Sequence, residues 1–228
     1  MKPYKALIFD MNGTIIDDMG YHTAAWLEIL AGLGHPVTAD EFARQYYGKT
    51  NLETLREVLG GDVSAAQIAA ISQDKEIQYQ RMYQDHMTPL AGFLPFLQAA
   101  QQNGLALALA TSANQFNIDF VLTGLGLEEA FTAVIGADDI EHSKPHPEIF
   151  LRAAENLGMA PEECLVFEDS LMGLEAARRA GMDAFAILTT LFEAEALALP
   201  QVVGAAPDFV ALQHDLSLFF NVKRSVET

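Results

Sequence analysis

The sequence is poor in several residue types, and each shortage argues against a class of protein. Its 228 residues include a single cysteine, Cys164, which rules out an internal disulfide and fits a reducing compartment. Thirteen lysines and arginines stand against 31 aspartates and glutamates, a formal net charge of -18 that opposes binding to nucleic acids and anionic membranes. The longest apolar runs, such as residues 105–110, have only strand length, and no targeting segment is evident. We therefore expect a cytoplasmic protein without nucleic-acid or membrane partners.

What the sequence does contain is an alternation of short apolar runs and helical patterns. Half of the residues are hydrophobic, enough for one domain or for a core with one insertion. Apolar runs of strand length occur at residues 6–9, 105–110, 133–135, 165–167 and 184–188, and a weaker one near 208–211. Helical patterns lie at residues 89–103, 115–123, 147–157 and 171–180. Continuous apolarity suits strands that are buried on both faces, so the pattern predicts a doubly wound α/β fold with a parallel sheet.

The first connection breaks this alternation. Between residues 13 and 89 the sequence predicts no strand, only helical segments at residues 21–33, 39–47, 52–59 and 65–83. A connection of this length is too long for an ordinary crossover between two strands. We expect a helical cap domain over residues 18–86, inserted into an α/β core formed by residues 1–17 and 87–228. Its two hinges are expected near residues 17–19 and 86–92.

Polar side chains with catalytic potential follow four of the predicted strands. Asp10 comes directly after the first strand and Thr111 after the second. Lys144 lies in the loop after the third strand, and Glu168 and Asp169 follow the fourth. Active sites of open α/β sheets lie outside the carboxyl ends of the strands, so we expect these groups to meet at one edge.

These residue types match the needs of phosphoryl transfer. A carboxylate such as that of Asp10 can attack phosphorus and become an aspartyl phosphate. Magnesium prefers oxygen ligands and keeps water and phosphate oxygens, so the carboxylates of Asp10, Glu168 and Asp169 form a candidate site. The Thr111 hydroxyl and nearby N–H groups can hold phosphoryl oxygens, and the Lys144 ammonium can neutralise the charge that develops on them.

Four motifs occur in an order typical of the haloacid dehalogenase superfamily, which the chain resembles over nearly its whole length. The motifs are Asp10-x-Asn12-Gly13-Thr14, Thr111, Ser143-Lys144-Pro145 and Phe167-Glu168-Asp169-Ser170. Within the superfamily the chain looks most like the β-phosphoglucomutase and small-molecule phosphatase branch. That closer likeness is carried by Tyr21-His22 followed by Trp26, and by residues 144–150.

The resemblance implies a magnesium-dependent enzyme with Asp10 as its nucleophile and Asn12 and Lys144 as further catalytic positions. It implies that the metal is held by the carboxylates of Asp10 and Asp169 and the backbone carbonyl of Asn12, with Glu168 nearby. The positions expected to bind phosphate and substrate are Thr111, Ser112, Asn114 and Lys144 in the core, and His22, Gly48, Lys49, Thr50 and Asn51 in the cap.

Asn12 departs from the family pattern, which has an aspartate there as general acid and base. An amide leaves the backbone carbonyl intact, so the metal site should survive, but the Asn12 side chain does not exchange a proton usefully. General acid–base catalysis contributes roughly 10²–10⁴-fold. Three explanations stay open: Asp18 or His22 supplies the proton, the leaving group needs none, as in an acyl phosphate, or the catalyst is impaired.

A second departure concerns the choice of substrate. In the mutase branch the loop at residues 48–51 carries an arginine that holds the second phosphate of a bisphosphate, and here the matching residue is Asn51. Asparagine is poorly suited to bidentate phosphate binding. Lys49, Lys75 and Arg81 are candidates to compensate. The departure favours a phosphatase for monophosphates over a sugar-phosphate mutase.

We therefore expect a magnesium-dependent phosphatase or phosphotransferase, monomeric, that acts on a small phosphorylated metabolite such as a sugar phosphate. A β-phosphoglucomutase-type isomerase is the first alternative. A phosphate-binding module that has lost turnover is the second, and Asn12 would permit it. A metal-independent dehalogenase is disfavoured, because it would not need the Glu168 and Asp169 carboxylates.

Overall fold

The computed structural model describes residues 4–47, 49–60, 63–212 and 219, and one parallel sheet lies at its centre. The strands are β1 (Ala6–Phe9), β2 (Ala106–Ala110), β3 (Ala133–Ile135), β4 (Cys164–Glu168), β5 (Asp183–Ile187) and β6 (Val202–Ala206). Their order across the sheet is β3-β2-β1-β4-β5-β6, and all neighbouring pairs are parallel. The sheet therefore grows outward from β1 in both directions, which confirms the predicted doubly wound α/β fold.

Helices fill the connections between the strands. Between β1 and β2 lie α1 (Met19–Gly32), α2 (Ala39–Tyr46), α3 (Asn51–Leu59), α4 (Ala65–Tyr83) and α5 (Phe93–Gln102). The later helices are α6 (Gln115–Leu125), α7 (Glu148–Leu157), α8 (Leu171–Ala180) and α9 (Glu193–Leu197). Among the described residues, no helix combines the length and the apolar character that crossing a membrane requires.

Alternate residues of β1 serve opposite faces of the sheet. Leu7 and Phe9 enter a cluster rich in aromatic rings, in which the ring of Phe9 stacks on that of Phe167 with centroids 4.9 Å apart. Ala6 and Ile8 enter a second cluster, dominated by alanine, on the other face. Both faces are buried, which is why the strand sequences are apolar without alternation.

Helices α1–α4 have a hydrophobic cluster of their own. Its buried members are Trp26, Leu30, Phe42, Tyr46, Leu55 and Ile68. Three of these helices begin at reciprocal caps, in which a hydroxyl side chain and the residue three positions later satisfy each other's backbone N–H group. The two segments that join α1–α4 to the sheet run side by side, because the N–H of Leu90 donates to the carbonyl of Ile15 at 2.7 Å.

The prediction of a sixth strand near residues 208–211 is wrong. The strand that pairs with β5 is Val202–Ala206. At the predicted position the Asp208 carboxylate accepts hydrogen bonds from the N–H groups of Val210 and Ala211, at 2.9 and 3.2 Å, and these close a turn. The short helix α9 before β6 was not predicted either.

Candidate active site

The carboxylates at the ends of β1 and β4 meet at one edge of the sheet. The N–H of Asp10 donates to the carbonyl of Phe167 at 3.0 Å, which fixes the turn after β1 beside the end of β4. Asp10, Glu168 and Asp169 each place a carboxylate oxygen within 4.8 Å of the others. All three side chains are buried. Three carboxylates that are this close together and shielded from solvent repel one another unless cations compensate their charge.

Lys144 brings one positive charge into this cluster. Its Nζ donates to Asp10 Oδ1 at 2.5 Å and to Glu168 Oε1 at 2.8 Å. Burial lowers the pKa of Lys144, but the two carboxylates raise it more, so the net pKa is above its ordinary value. Burial raises the pKa of Asp10 to about 7 even though Lys144 lowers it. The single ammonium therefore does not balance the cluster.

Glu168 and Asp169 have different surroundings. Glu168 Oε1 accepts from Lys144, and Glu168 Oε2 accepts from the N–H and the hydroxyl of Ser170, at 2.6 and 2.9 Å. Asp169 accepts only from hydroxyl groups among the described residues, those of Thr190 at 2.9 Å and Thr14 at 3.4 Å. Burial, reinforced by the neighbouring carboxylates, raises the pKa of Asp169 well above its ordinary value. Glu168 is thus engaged in holding Lys144, whereas no cationic side chain within the described part of the chain forms an ion pair with Asp169.

The site fits a magnesium ion. The backbone around Gly13 comes so close to Asp169 that a Cβ at Gly13 would lie 2.2 Å from Asp169 Oδ2. Gly13 also has a φ of 80°, which favours glycine. The approach brings the backbone at Gly13, the residue after Asn12, against the Asp169 carboxylate, and the clustered carboxylates offer the all-oxygen donor set that magnesium prefers.

The loop after β2 brings a hydroxyl-rich turn to the same edge. Thr111 is buried, and its Oγ1 accepts from the N–H of Ala113 at 3.1 Å. Ser112 Oγ is buried without a hydrogen-bond partner among the described residues. Asn114 caps α6, because its side chain accepts from the N–H of Asn117 at 3.2 Å. The unpartnered Ser112 hydroxyl is the group of this loop best placed to bond a ligand oxygen.

Asn12 makes a close contact with a buried carboxylate. Its Nδ2 donates to Asp18 Oδ2 at 2.6 Å and lies 3.1 Å from His22 Nε2. The same Asp18 oxygen accepts from the Tyr79 hydroxyl at 2.5 Å, and the rings of His22 and Tyr79 stack at 3.7 Å. Asn12 and His22 line the cavity described below, whereas Asp18 is wholly buried and is not on its wall. The carboxylate that binds the Asn12 side chain therefore lies away from the cavity wall.

A buried ion pair continues this chain of contacts. Lys75 Nζ lies 2.6 Å from His22 Nδ1 and donates to the Glu76 carboxylate at 3.0 and 3.1 Å. The Glu76 carboxylate also accepts from the amides of Asn51 and Asn117, each at 2.5 Å. Because Asn117 belongs to α6 and the other residues to the α1–α4 segment, Glu76 joins that segment to the sheet domain.

A cavity of about 600 Å³ lies between the end of the sheet and helices α1–α4. Its wall includes the three clustered carboxylates, Lys144, the loop after β2, Asn12, His22, Lys75 and Glu76. Lys49, Thr50 and Asn51, which are predicted to bind substrate, lie on its wall, although Thr50 mainly caps α3. Lys49 Nζ pairs with Glu57 at 2.6 Å. Gly48, which was also predicted to bind substrate, lies outside the described residues.

Several residues of the site are not among those predicted from the sequence. Thr189 donates to the carbonyl of Gly13 at 2.5 Å, and Thr190 bonds Asp169. The same strand-end rule could have found both, because they directly follow the fifth predicted strand. Tyr79 and Glu76 gave no signal, since a tyrosine and a glutamate on an amphipathic helix are usually partly exposed.

Comparison with known proteins assigns the chain to a family. The family model for hydrolases described as "haloacid dehalogenase-like hydrolase" matches residues 4–181. The fructose-1-phosphate phosphatase YqaB of Escherichia coli K12 is 33% identical over 183 residues, 79% of this chain and 95% of the relative. A family IA haloacid dehalogenase hydrolase from Entamoeba histolytica superposes with a TM-score of 0.82 at 28% identity, over 91% of this chain and 94% of the other. A β-phosphoglucomutase from Clostridium difficile superposes with a TM-score of 0.82 at 25% identity, over 94% of this chain and 96% of the other.

The fold and the site define a hydrolase that places its chemistry at the carboxyl ends of a parallel sheet. The chain belongs to the haloacid dehalogenase-like hydrolases, as its motifs predicted.

Proposed function

We propose that the protein is a magnesium-dependent phosphatase that hydrolyses a small sugar phosphate through an aspartyl phosphate at Asp10. The observation that carries the proposal is the buried meeting of Asp10, Lys144 and Asp169 on the wall of one cavity, in a chain of this family. The fructose-1-phosphate phosphatase among its relatives supports a phosphorylated sugar as substrate.

In this proposal magnesium would be held by the carboxylates of Asp10 and Asp169 and the backbone carbonyl of Asn12, with Glu168 nearby. Bound there, the ion supplies charge neutralisation between a carboxylate nucleophile and an anionic phosphate, which otherwise repel each other. Glu168 contributes negative charge and orients Lys144, since both its oxygens already accept hydrogen bonds.

Each step of the proposed reaction is assigned to residues of the chain. Asp10 attacks phosphorus, and the bond to the leaving oxygen breaks as the bond to the carboxylate forms. Lys144, which bonds Asp10 directly, neutralises charge on the transferring phosphoryl group. The hydroxyls of Thr111 and Ser112 and the N–H groups of their loop hold the other phosphoryl oxygens. Water then hydrolyses the aspartyl phosphate and regenerates the Asp10 carboxylate.

We propose that residues 18–86 act as a cap domain over this site. The separate hydrophobic cluster of α1–α4 supports this division, as do the two adjacent connections near Ile15 and Leu90. The bonds of Glu76 to Asn117 and of Ser143 to Glu53 link the cap to the core in a closed arrangement that excludes bulk water.

The part of the cavity lined by α1–α4, away from Asp10, favours a substrate with a single phosphate. The Asn51 amide already donates a hydrogen bond to the Glu76 carboxylate, and the same carboxylate compensates the charge of Lys75. Lys49 pairs with Glu57. Arg56 also lines the cavity, but on its exposed side. A second phosphate would meet the negative charge of Glu76, so a hydroxyl-bearing, uncharged remote end fits better than the bisphosphate that a mutase requires.

Replacing Glu76 by glutamine tests this preference. The change keeps an oxygen for Asn51 or Asn117 but removes the charge that compensates Lys75. We expect kcat/KM for a hexose bisphosphate, relative to the monophosphate, to rise about tenfold, or about 1.4 kcal/mol. Glu175→Gln, which releases Arg178 and Arg179 on α8 away from the cavity wall, is the matched control and should leave the ratio unchanged. An unaltered ratio in Glu76→Gln, with a normal melting temperature, would contradict the assignment.

A screen of phosphorylated metabolites, run with magnesium and with excess chelator, tests the function itself. We expect release of inorganic phosphate from sugar monophosphates, and its loss in chelator. An isomerised sugar phosphate without phosphate release would instead identify a β-phosphoglucomutase-type enzyme. Binding of sugar phosphates without any turnover would identify a phosphate-binding module, the alternative that Asn12 leaves open. Phosphate release that is unchanged in chelator would contradict the metal site.

A further inference from the structure

A second group of potential metal ligands lies outside the active-site cavity. His142, His146 and Glu148 each offer a ligand atom within 4.8 Å of the other two. His142 Nδ1 is 3.2 Å and His146 Nδ1 is 4.0 Å from Glu148 Oε2. The two imidazole rings lie 4.5 Å apart, centroid to centroid. None of these side chains has a part in the proposed hydrolysis.

We propose that His142, His146 and Glu148 bind a divalent transition-metal ion of the zinc type. Zinc bonds nitrogen and carboxylate oxygen at about 2.0–2.2 Å in tetrahedral geometry, which sets neighbouring ligand atoms roughly 3.3–3.5 Å apart. The separation of His142 Nδ1 from Glu148 Oε2, 3.2 Å, is close to that value, whereas His146 Nδ1, at 4.0 Å from the same oxygen, has to move closer. Two imidazoles favour zinc, cobalt or nickel over magnesium and calcium.

The surroundings of Glu148 prepare it for this role. Its Oε1 accepts from the N–H of Glu141 at 3.1 Å and from Arg152 at 2.9 and 3.0 Å. Its Oε2 accepts from the N–H of His142 at 3.0 Å and faces both imidazoles. The carboxylate is therefore oriented by one oxygen and presents the other to the histidines. Such fixed orientation from behind a ligand is typical of metal sites.

Both histidine side chains are accessible to solvent. His142 and His146 are exposed, with 61% and 48% of their side-chain surfaces accessible, so an ion can enter from solvent. The N–H of Glu148 donates to His146 Nδ1 at 3.3 Å, a long hydrogen bond that an ion bound at this nitrogen would replace. A water molecule would complete the tetrahedron.

The location gives the site a consequence for the enzyme. His142 and His146 stand two residues before and two after Lys144, and the intervening Ser143 bonds Glu53 of the cap. An ion held by both histidines would close residues 142–146 into a ring. It would thereby restrain the loop that delivers Lys144 to Asp10 and Glu168.

The test uses untagged full-length protein in a large excess of magnesium. Calorimetric titration with zinc should show one site, and His142→Ala and His146→Ala should each lower its zinc affinity at least about tenfold. Removing a residue that only orients a metal ligand already causes a loss of that size. Cobalt should give the intense visible absorption of a tetrahedral ion in the parent and not in these variants. His35→Ala, which removes an exposed histidine elsewhere, is the control and should change neither measurement.

Amide hydrogen exchange supplies a second readout. Zinc should slow exchange over residues 142–148 in the parent and leave it unchanged in the double variant His142→Ala/His146→Ala. The proposal is overturned if that double variant binds zinc with the stoichiometry and affinity of the parent, because the zinc would then reside on other groups such as the acidic cluster. It is equally overturned if the parent binds no zinc under these conditions.

Discussion

Asp10→Asn is expected to lower phosphate release by at least about 10⁴-fold, because an amide cannot replace the attacking carboxylate; loss of a nucleophile in a well-studied hydrolase costs roughly 10⁶-fold. The variant should fold well, since it removes one of three mutually repelling buried carboxylates. Steady-state phosphate release on the best substrate of the screen measures the loss. Mass spectrometry of the parent, quenched during turnover, should find the phosphoryl group on the peptide that contains Asp10.

Asp74→Asn is the matched control for this change. It makes the same chemical substitution at an exposed position of α4 and should leave the rate within twofold, the scatter of roughly 0.5 kcal/mol expected for surface changes. If Asp10→Asn kept the rate of the parent while its melting temperature was normal, the nucleophile would have to be sought elsewhere on the cavity wall.

The sequence predicted the part of the site that depends on topology alone. A polar residue directly after a buried parallel strand must lie at the carboxyl edge of the sheet, so Asp10, Thr111, Glu168 and Asp169 could be placed together without coordinates. Lys144 needed the family motif as well, because it lies in a longer loop after β3. The same reasoning would have included Thr190, had the fifth strand been followed to its end.

The part that could not be predicted depends on how α1–α4 lie against the sheet. Lys75 and Glu76 are adjacent charged residues on a helix, a pattern typical of a solvated face, yet both are buried. They are buried because Asn117 of the core and Asn51 of α3 satisfy the carboxylate from two sides. No sequence spacing links these positions, so the sequence pointed only to Lys75, as a candidate cation, and not to Glu76. The turn closed by Asp208 misled the prediction of β6 for a related reason, since local side-chain bonds override apolar character.

The Asn12–Asp18 contact changes how the missing acid should be tested. With Asn12→Asp alone, a carboxylate would face the Asp18 carboxylate at about the present donor–acceptor distance of 2.6 Å. Two such groups cannot both ionise, so the pair would share one proton and the fold would lose stability. The exchange Asn12→Asp/Asp18→Asn avoids this conflict. It keeps one carboxylate, one amide and the bond between them, but turns the carboxylate toward the cavity.

The exchange is expected to raise kcat on alkyl phosphates by roughly 10²-fold, the low end of general acid–base contributions. In the parent, Asp18 accepts a hydrogen bond from Asn12 and is not on the cavity wall, and both nitrogens of His22 contact other side chains, so neither group is free to protonate a leaving oxygen. The gain should be smaller for acyl phosphates, whose leaving groups depart without a proton. Asn12→Asp alone should gain less than the exchange and melt at a lower temperature.

Phosphate release by all three proteins on a matched leaving-group series measures these differences, with mass spectrometry confirming that Asn12 has not deamidated. A large gain confined to alkyl phosphates identifies the parent as an impaired catalyst for them. A parent that is already fast on alkyl phosphates, and that His22→Gln or Asp18→Asn slows by 10²-fold or more, would contradict this expectation and place the acid at the cap hinge. A parent fast only on acyl phosphates, with no gain in the exchange, would mean that the natural substrate carries a leaving group that needs no proton. In that case the only contributions of Asn12 would be its backbone carbonyl, toward the metal, and its hydrogen bond to Asp18.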